Sequence, residues 1–193
     1  MNKKPVLTDD AQKDLLRRCW YSHDARWFMS VVEEVGLEAA NRLNRRVCRA
    51  LGEAEMRRFA ASLDITTPTT VQQLVEVVDE AMRFFVPAPL TMFDTWVIDE
   101  RSYGIWIRHC FIYDNVIRAG IASSYTCAAF DRVQGWHDAL NLPLVEDPPA
   151  LPCAKTLGQE CIRIMTSRLG RRHGLHSSRR GRDAPANPAQ VCD

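Results

Sequence analysis

The chain has 193 residues and a formal net charge of +1, long enough to bury one substantial core. Its apolar and charged fractions are those of an ordinary globular protein, and no apolar run approaches the roughly 18 residues that span a bilayer. Charge is unevenly placed: the stretch from Arg168 to Asp193 holds six arginines against Asp183 and Asp193, which leaves the rest mildly acidic, at about −3, and argues against a specific nucleic-acid-binding domain.

The N-terminus, Met-Asn-Lys-Lys-Pro-Val-Leu-Thr-Asp-Asp, lacks the apolar stretch of a signal peptide. The expected location is the cytoplasm, with no membrane partner. Seven cysteines, an odd number, are scattered along the chain. In a reducing compartment they are expected to be free thiols, with a ligand or nucleophile among them where function demands it.

Thr8-Asp9-Asp10 has the form of a helix start, with acidic groups at the positive helix end. That helix is expected to reach Tyr21. Ser22-His23-Asp24 reads as a second start, followed at helical spacing by Trp27, Phe28, Val31 and Val35 and ended by Gly36. A long helix from Leu37 to Leu63 has the stripe Ala40, Leu43, Val47, Leu51, Met56, Phe59 and an Arg/Glu-rich opposite face. Its apolar stripe offers a surface for a homodimer.

Val71, Leu74, Val75, Val78, Met82 and Phe85 define a further helix, stopped by Pro87-Ala-Pro89. The pattern then becomes aromatic and β-branched. Thr91–Asp99 and Gly104–Ile112 predict a hairpin across Glu100–Tyr103. Strict alternation places Ile105, Ile107 and His109 on one face and Trp106, Arg108 and Cys110 on the other. A helix is expected from Tyr125 to Leu140, an extended proline-rich loop from Leu142 to Pro152, and a third strand from Glu160 to Ser167. Beyond Gly170 the chain is Arg, Gly, Ser, Ala and Pro, a composition that predicts a disordered basic tail. The tail lacks aromatic stacking groups and reads as a solvated segment. The class is therefore α+β, a single domain over residues 1–169 with a helical N-terminal half, then a small antiparallel sheet with a covering helix.

The chemical candidates are the soft and titratable side chains. His109 on a strand is either a core imidazole bonded to backbone or a semi-buried base. Cys127, Cys153 and Cys161 sit in a covering helix, a loop and a strand that can meet at one end of the sheet. With His109 or His137 they supply the donors of a tetrahedral zinc site, although no short Cys-x-x-Cys pair is present. Otherwise one of them is an activated thiolate, or all three are buried thiols. His23 lies on the inner side of its helix with Trp27, beside Asp24, which caps the helix or orients a histidine. Glu33 or Glu34 faces inward and needs a cationic partner such as Arg108. Trp96, Trp106, Trp136 and Tyr103 pack the core or wall a pocket for a small planar ligand.

Two segments carry a resemblance. One is His23-Asp-Ala-Arg-Trp27-Phe28, continuing through Glu33-Glu34-Val-Gly36. The other is Cys127-x7-Gly135-Trp136-x2-Ala139-Leu140 with Cys153-x4-Gly158-x2-Cys161. Together they resemble a bacterial and archaeal family adjoining the L-2-amino-thiazoline-4-carboxylate hydrolases. The Gly-x-x-Cys strand entry also resembles the small-molecule-binding domain of the 4-vinyl reductase type. Where those hydrolases carry an acidic–aromatic pair after the last cysteine, this chain has Ile162-Arg163, so the resemblance does not name a substrate.

The first resemblance implies a hydrolase of cyclic or amide-like C–N bonds. His109 or His23 would activate water or a thiol, Cys127 or Cys161 would be nucleophile or ligand, and Trp27, Glu33, Arg108 and Trp136 would hold a small-molecule substrate. The second implies a non-enzymatic sensor or accessory domain that binds a small molecule, or a metal through Cys127, Cys153 and Cys161.

Overall fold

The computed structural model describes residues 6–147 and 152–169; the basic C-terminal segment lies outside them. The fold is α+β. Five helices, α1 (Asp9–Val35), α2 (Leu37–Ser62), α3 (Val71–Phe85), α4 (Phe111–Arg118) and α5 (Ala129–Ala139), accompany four strands, β1 (Thr91–Val97), β2 (Ser102–Cys110), β3 (Leu144–Asp147) and β4 (Cys161–Ser167). The strands form one antiparallel sheet in the order β1-β2-β4-β3.

α1 begins where its cap predicts: the Thr8 hydroxyl accepts the Ala11 amide. It does not break at Ser22. Neither Gly nor Pro interrupts the run, and the Ser22 hydroxyl accepts from the Arg26 guanidinium one turn on rather than capping a new start. One helix thus replaces the expected two, and it ends at Gly36, whose φ of 83° belongs to the left-handed half of the map that glycine reaches without strain. α1 is held at a few points. The Tyr21 hydroxyl donates to the Phe85 carbonyl, the Tyr21 ring packs on Phe111 at 4.9 Å, and Phe28 meets Tyr125 edge-on.

The core lies between the helices and one sheet face. From α2 come Met56 and Phe59; from α3, Leu74, Val75, Val78 and Met82; from α5, Phe130, Val133 and Trp136. β4 alternates cleanly, with Cys161, Arg163, Met165 and Ser167 inward and Ile162 and Ile164 toward solvent. β2 alternates only as far as Ile107. Met92 pairs with His109 but Phe93 pairs with Ile107, so Arg108 is an extra residue in the ladder. This bulge resets the faces. Cys110, opposite buried Thr91, comes inward, and His109, opposite exposed Met92, is left at the rim.

Two elements fall where others were expected. The chain leaves β2 directly into α4 instead of extending as strand to Ile112, and the proline-rich loop contains the edge strand β3, a position where flanking prolines cost no ladder bond.

α2 and α5 cross with their backbones almost touching. A Cβ on Gly52 would stand 2.1 Å from the Arg132 carbonyl oxygen, and one on Gly135 would stand 2.1 Å from the Arg49 carbonyl oxygen. Backbone cannot yield as a side-chain tip can. Gly52→Ala and Gly135→Ala are each expected to lower the unfolding free energy by about 3 kcal/mol, a fall in Tm of about 10 °C, read by urea and thermal denaturation; a shift within experimental error would contradict this crossing.

Candidate functional site

The helices do not close completely on the sheet. Between them runs a cavity of about 380 Å³, a size suited to a small ligand. Its walls are Leu51 of α2, Met82 and Phe85 of α3, Ile105 and Ile107 of β2, and Phe130, Val133 and Trp136 of α5. One end opens beside α1 and α2, where Leu16, Trp20 and Val47 are more than half exposed. The other end is closed and rich in sulfur: Cys127, Cys153 and Cys161 are each under a tenth exposed, and the bulge adds Cys110.

The three cysteines of the zinc reading therefore do line one cavity end. Among the described residues, however, no group of three or more His, Cys, Asp or Glu side chains is placed to hold a metal ion. All six described cysteines are free thiols. Burial raises the pKa values of Cys110 and Cys127 and pushes Cys161 up to about 11. On the α2 side of the cavity, burial followed by the charge of Asp24 pushes Cys48 up to about 12. These four sulfurs are thus protonated at neutral pH and behave as weakly polar, polarisable wall.

The histidines do not reach this end. His109 is 42% exposed and faces Asp114 at 3.6 Å, and the cavity lining does not include it. His23 falls in mid-helix on α1 and is exposed. His137 is completely buried elsewhere, bonded to the Tyr103 hydroxyl at 2.7 Å and the Leu142 carbonyl at 3.2 Å. Burial lowers its pKa to about 4. The imidazole is therefore neutral, with Nδ1–H donating to Leu142 and Nε2 accepting from Tyr103.

Of the expected binding residues, Trp136 is fully buried and lines the cavity. Trp27 is 66% exposed and Glu33 is exposed on the same helix; neither lines it. Arg108, on the bulge, points outward to Asp94 at 2.8 Å and lies over Trp106.

Two described arginines turn inward, Arg163 on β4 and Arg132 on α5, and of these Arg132 lines the cavity. Its guanidinium grips Glu55 of α2, with Nε to Oε2 at 2.7 Å and Nη2 on the other oxygen, and lies over the rings of Phe85 and Trp136. Trp136 Nε1 donates to the same carboxylate at 3.1 Å. Burial opposes the Arg132 charge, but the Glu55 bonds and charge outweigh it and raise its pKa. Nothing in the sequence pairs Glu55 with Arg132. The available signal was a carboxylate on the apolar stripe of α2, next to Met56.

At the closed end Tyr125 is 5% exposed and lies near the Cys48, Cys110 and Cys127 sulfurs. No side chain caps α5. The Ala128 and Ala129 amides partly offset the burial that raises the Tyr125 and Cys127 pKa values.

No family model and no curated protein matches the chain. Among solved structures, the chain is similar to a trafficking protein particle complex subunit 3 from Naegleria fowleri, solved with palmitic acid covalently bound. The TM-score is 0.55 at 12% identity, over 82% of this chain and 96% of that one. At that identity the likeness is one of fold.

Removing one partner of the Glu55–Arg132 pair strands a charge. Glu55→Leu or Arg132→Met should each cost about 3–5 kcal/mol, and the double variant much less than their sum, as a urea-melt mutant cycle would report. For His137 the folded pKa lies below the ordinary 6.5, so the unfolded chain binds the extra proton. Its contribution is fully present above pH 6.5 and is lost as pH falls toward 4. A shift of that size is worth about 3 kcal/mol. The difference in stability between the protein and His137→Gln should shrink by about that amount across the window; a pH-independent difference would contradict a neutral buried imidazole.

Proposed function

We propose that this protein is a non-catalytic binding domain for a long apolar ligand of the fatty-acyl class, held in the cavity between the sheet and the helices. The observation that carries this reading is the cavity itself: a channel walled by aliphatic, aromatic and thiol groups, open beside α1 and closed at the sulfur-rich end. Burying methylenes there gains about 0.8 kcal/mol each, and Glu55 and Arg132 on the lining already satisfy each other. The similar solved structure, with covalently bound palmitic acid, supports the ligand class.

Hydrolysis of a C–N bond asks for a thiolate or a base beside the scissile atom. Burial holds Cys127 and Cys161 protonated, and neither His109 nor His23 lines the cavity. These placements favour binding over turnover.

Organic extraction of freshly purified protein should release a fatty acid, and intact mass under denaturing conditions separates a covalent adduct from a dissociable one. Palmitic acid added to stripped protein at a hundred times its Kd should stabilise it by about 2.7 kcal/mol, a rise in Tm of about 5–10 °C. Ala129→Phe, which fills the cavity wall at the start of α5, should abolish the rise while keeping the far-UV circular dichroism. No extractable acyl chain together with no palmitic acid shift would reject the proposal.

A further inference from the structure

The closed end of the cavity is not uniformly apolar. Two hydroxyl groups sit there with hydrogen-bonding capacity to spare. Tyr125 and Thr91 are each 5% exposed, and both line the cavity. Thr91 stands opposite Cys110 in the β1–β2 ladder, and Tyr125 lies near the same sulfur.

The Tyr125 ring is fixed by Phe28 edge-on at 5.9 Å. The Ala128 amide at the start of α5 offsets a little of the burial that raises the Tyr125 pKa, an effect that leaves the O–H as a donor. Among the described residues, neither that O–H nor the Thr91 hydroxyl has a hydrogen-bonding partner. The neighbouring sulfurs are weak acceptors. Buried donors are ordinarily matched, and one left facing a cavity points to an acceptor on whatever fills it. Burial keeps Tyr125 well above its ordinary pKa, so it remains a donor at any physiological pH. The first-turn amides of α5, which no side chain caps, add a positive field at the same place.

Resting on the fatty-acyl reading above, we propose that the ligand's carbonyl oxygen is received at the closed end by the Tyr125 hydroxyl, with Thr91 beside it. The tail then runs toward the opening at α1. The site selects an acyl group over a bare hydrocarbon of equal length. The carbonyl can belong to a free acid or to an ester or thioester. Lys155, also on the lining, already donates to the Arg108 carbonyl at 2.9 Å, so recognition falls first to the hydroxyl and suits a neutral carbonyl as well as a carboxylate.

The test uses the full chain, stripped of lipid, with palmitic acid, methyl palmitate and hexadecane as probes and intrinsic fluorescence as the readout. The protein should bind the acid, the ester or both about tenfold tighter than the alkane, and Tyr125→Phe should remove most of that preference while leaving alkane affinity unchanged. Thr91→Val should reduce it in the same direction. Loss confined to the acid identifies the free carboxylate as the group received; loss for both identifies any acyl carbonyl. Unchanged acid and ester binding by Tyr125→Phe overturns the proposal. So does a protein that binds all three probes equally, and in that case the apolar-binding reading stands. Binding of none of them overturns both. Should Tyr125→Phe fail to fold, the carbonyl stretch of methyl palmitate bound to the unmodified protein decides: a frequency below its value in hexane supports a donor at that oxygen, and an unshifted one overturns it.

Discussion

The α2–α5 crossing is the constraint on which the rest of the molecule depends. Gly52 and Gly135 bring two helix backbones to a separation that any side chain would prevent. At that separation Glu55 and Arg132 meet within the interface, and Arg45–Asp131 and Arg49–Asp138 span its flank. A buried ion pair gives little net stability compared with apolar packing, but it tolerates no slippage. Sliding one helix along the other would leave two charges in an apolar layer. The crossing therefore fixes the height of α5 above the sheet, and with it the space between Trp136, Phe130 and the inner residues of β2.

Much of this architecture was legible in the sequence, because burial imposes a period. The stripe on α3, the Ala40, Met56 and Phe59 part of the stripe on α2, the cap at Thr8 and the stop at Gly36 were readable, whereas Leu43 and Val47 of the expected α2 stripe are exposed. What failed has physical causes. Ser22 looks like a cap, but its hydroxyl is satisfied within the helix by Arg26. The bulge at Arg108 leaves no local mark, because an extra strand residue is defined only by its partner; it exchanged the expected positions of His109 and Cys110. Glu55 and Arg132 lie far apart in sequence, and only the glycine contact brings them together. Cys127, Cys153 and Cys161 line one cavity end, but Cys127 lies in the loop before α5 and not in the helix, and Tyr125, expected as the first residue of that helix, lies in the same loop.

The cysteines illustrate how context changes chemistry without changing composition. A thiol in an electropositive cleft is a nucleophile; the same group among Ile107, Tyr125 and Phe130 is a soft hydrophobe. In this chain no described imidazole lines the cavity with the sulfurs. The sulfur-rich end is in effect a polarisable lining that also carries the Tyr125 and Thr91 hydroxyls and Lys155.

α1 is 27 residues long and buries none of them. Leu16 and Trp20 stand at the cavity mouth while Trp27 faces water, and the helix is tied down chiefly through Tyr21 and Phe28. An element attached by so few contacts opens at a lower free energy than the core beneath it. Its backbone amides should exchange with solvent by excursions that leave α2, α3 and α5 intact, hinged at Gly36. Because the cavity mouth lies beside this helix, such excursions widen the mouth without disturbing the packed walls.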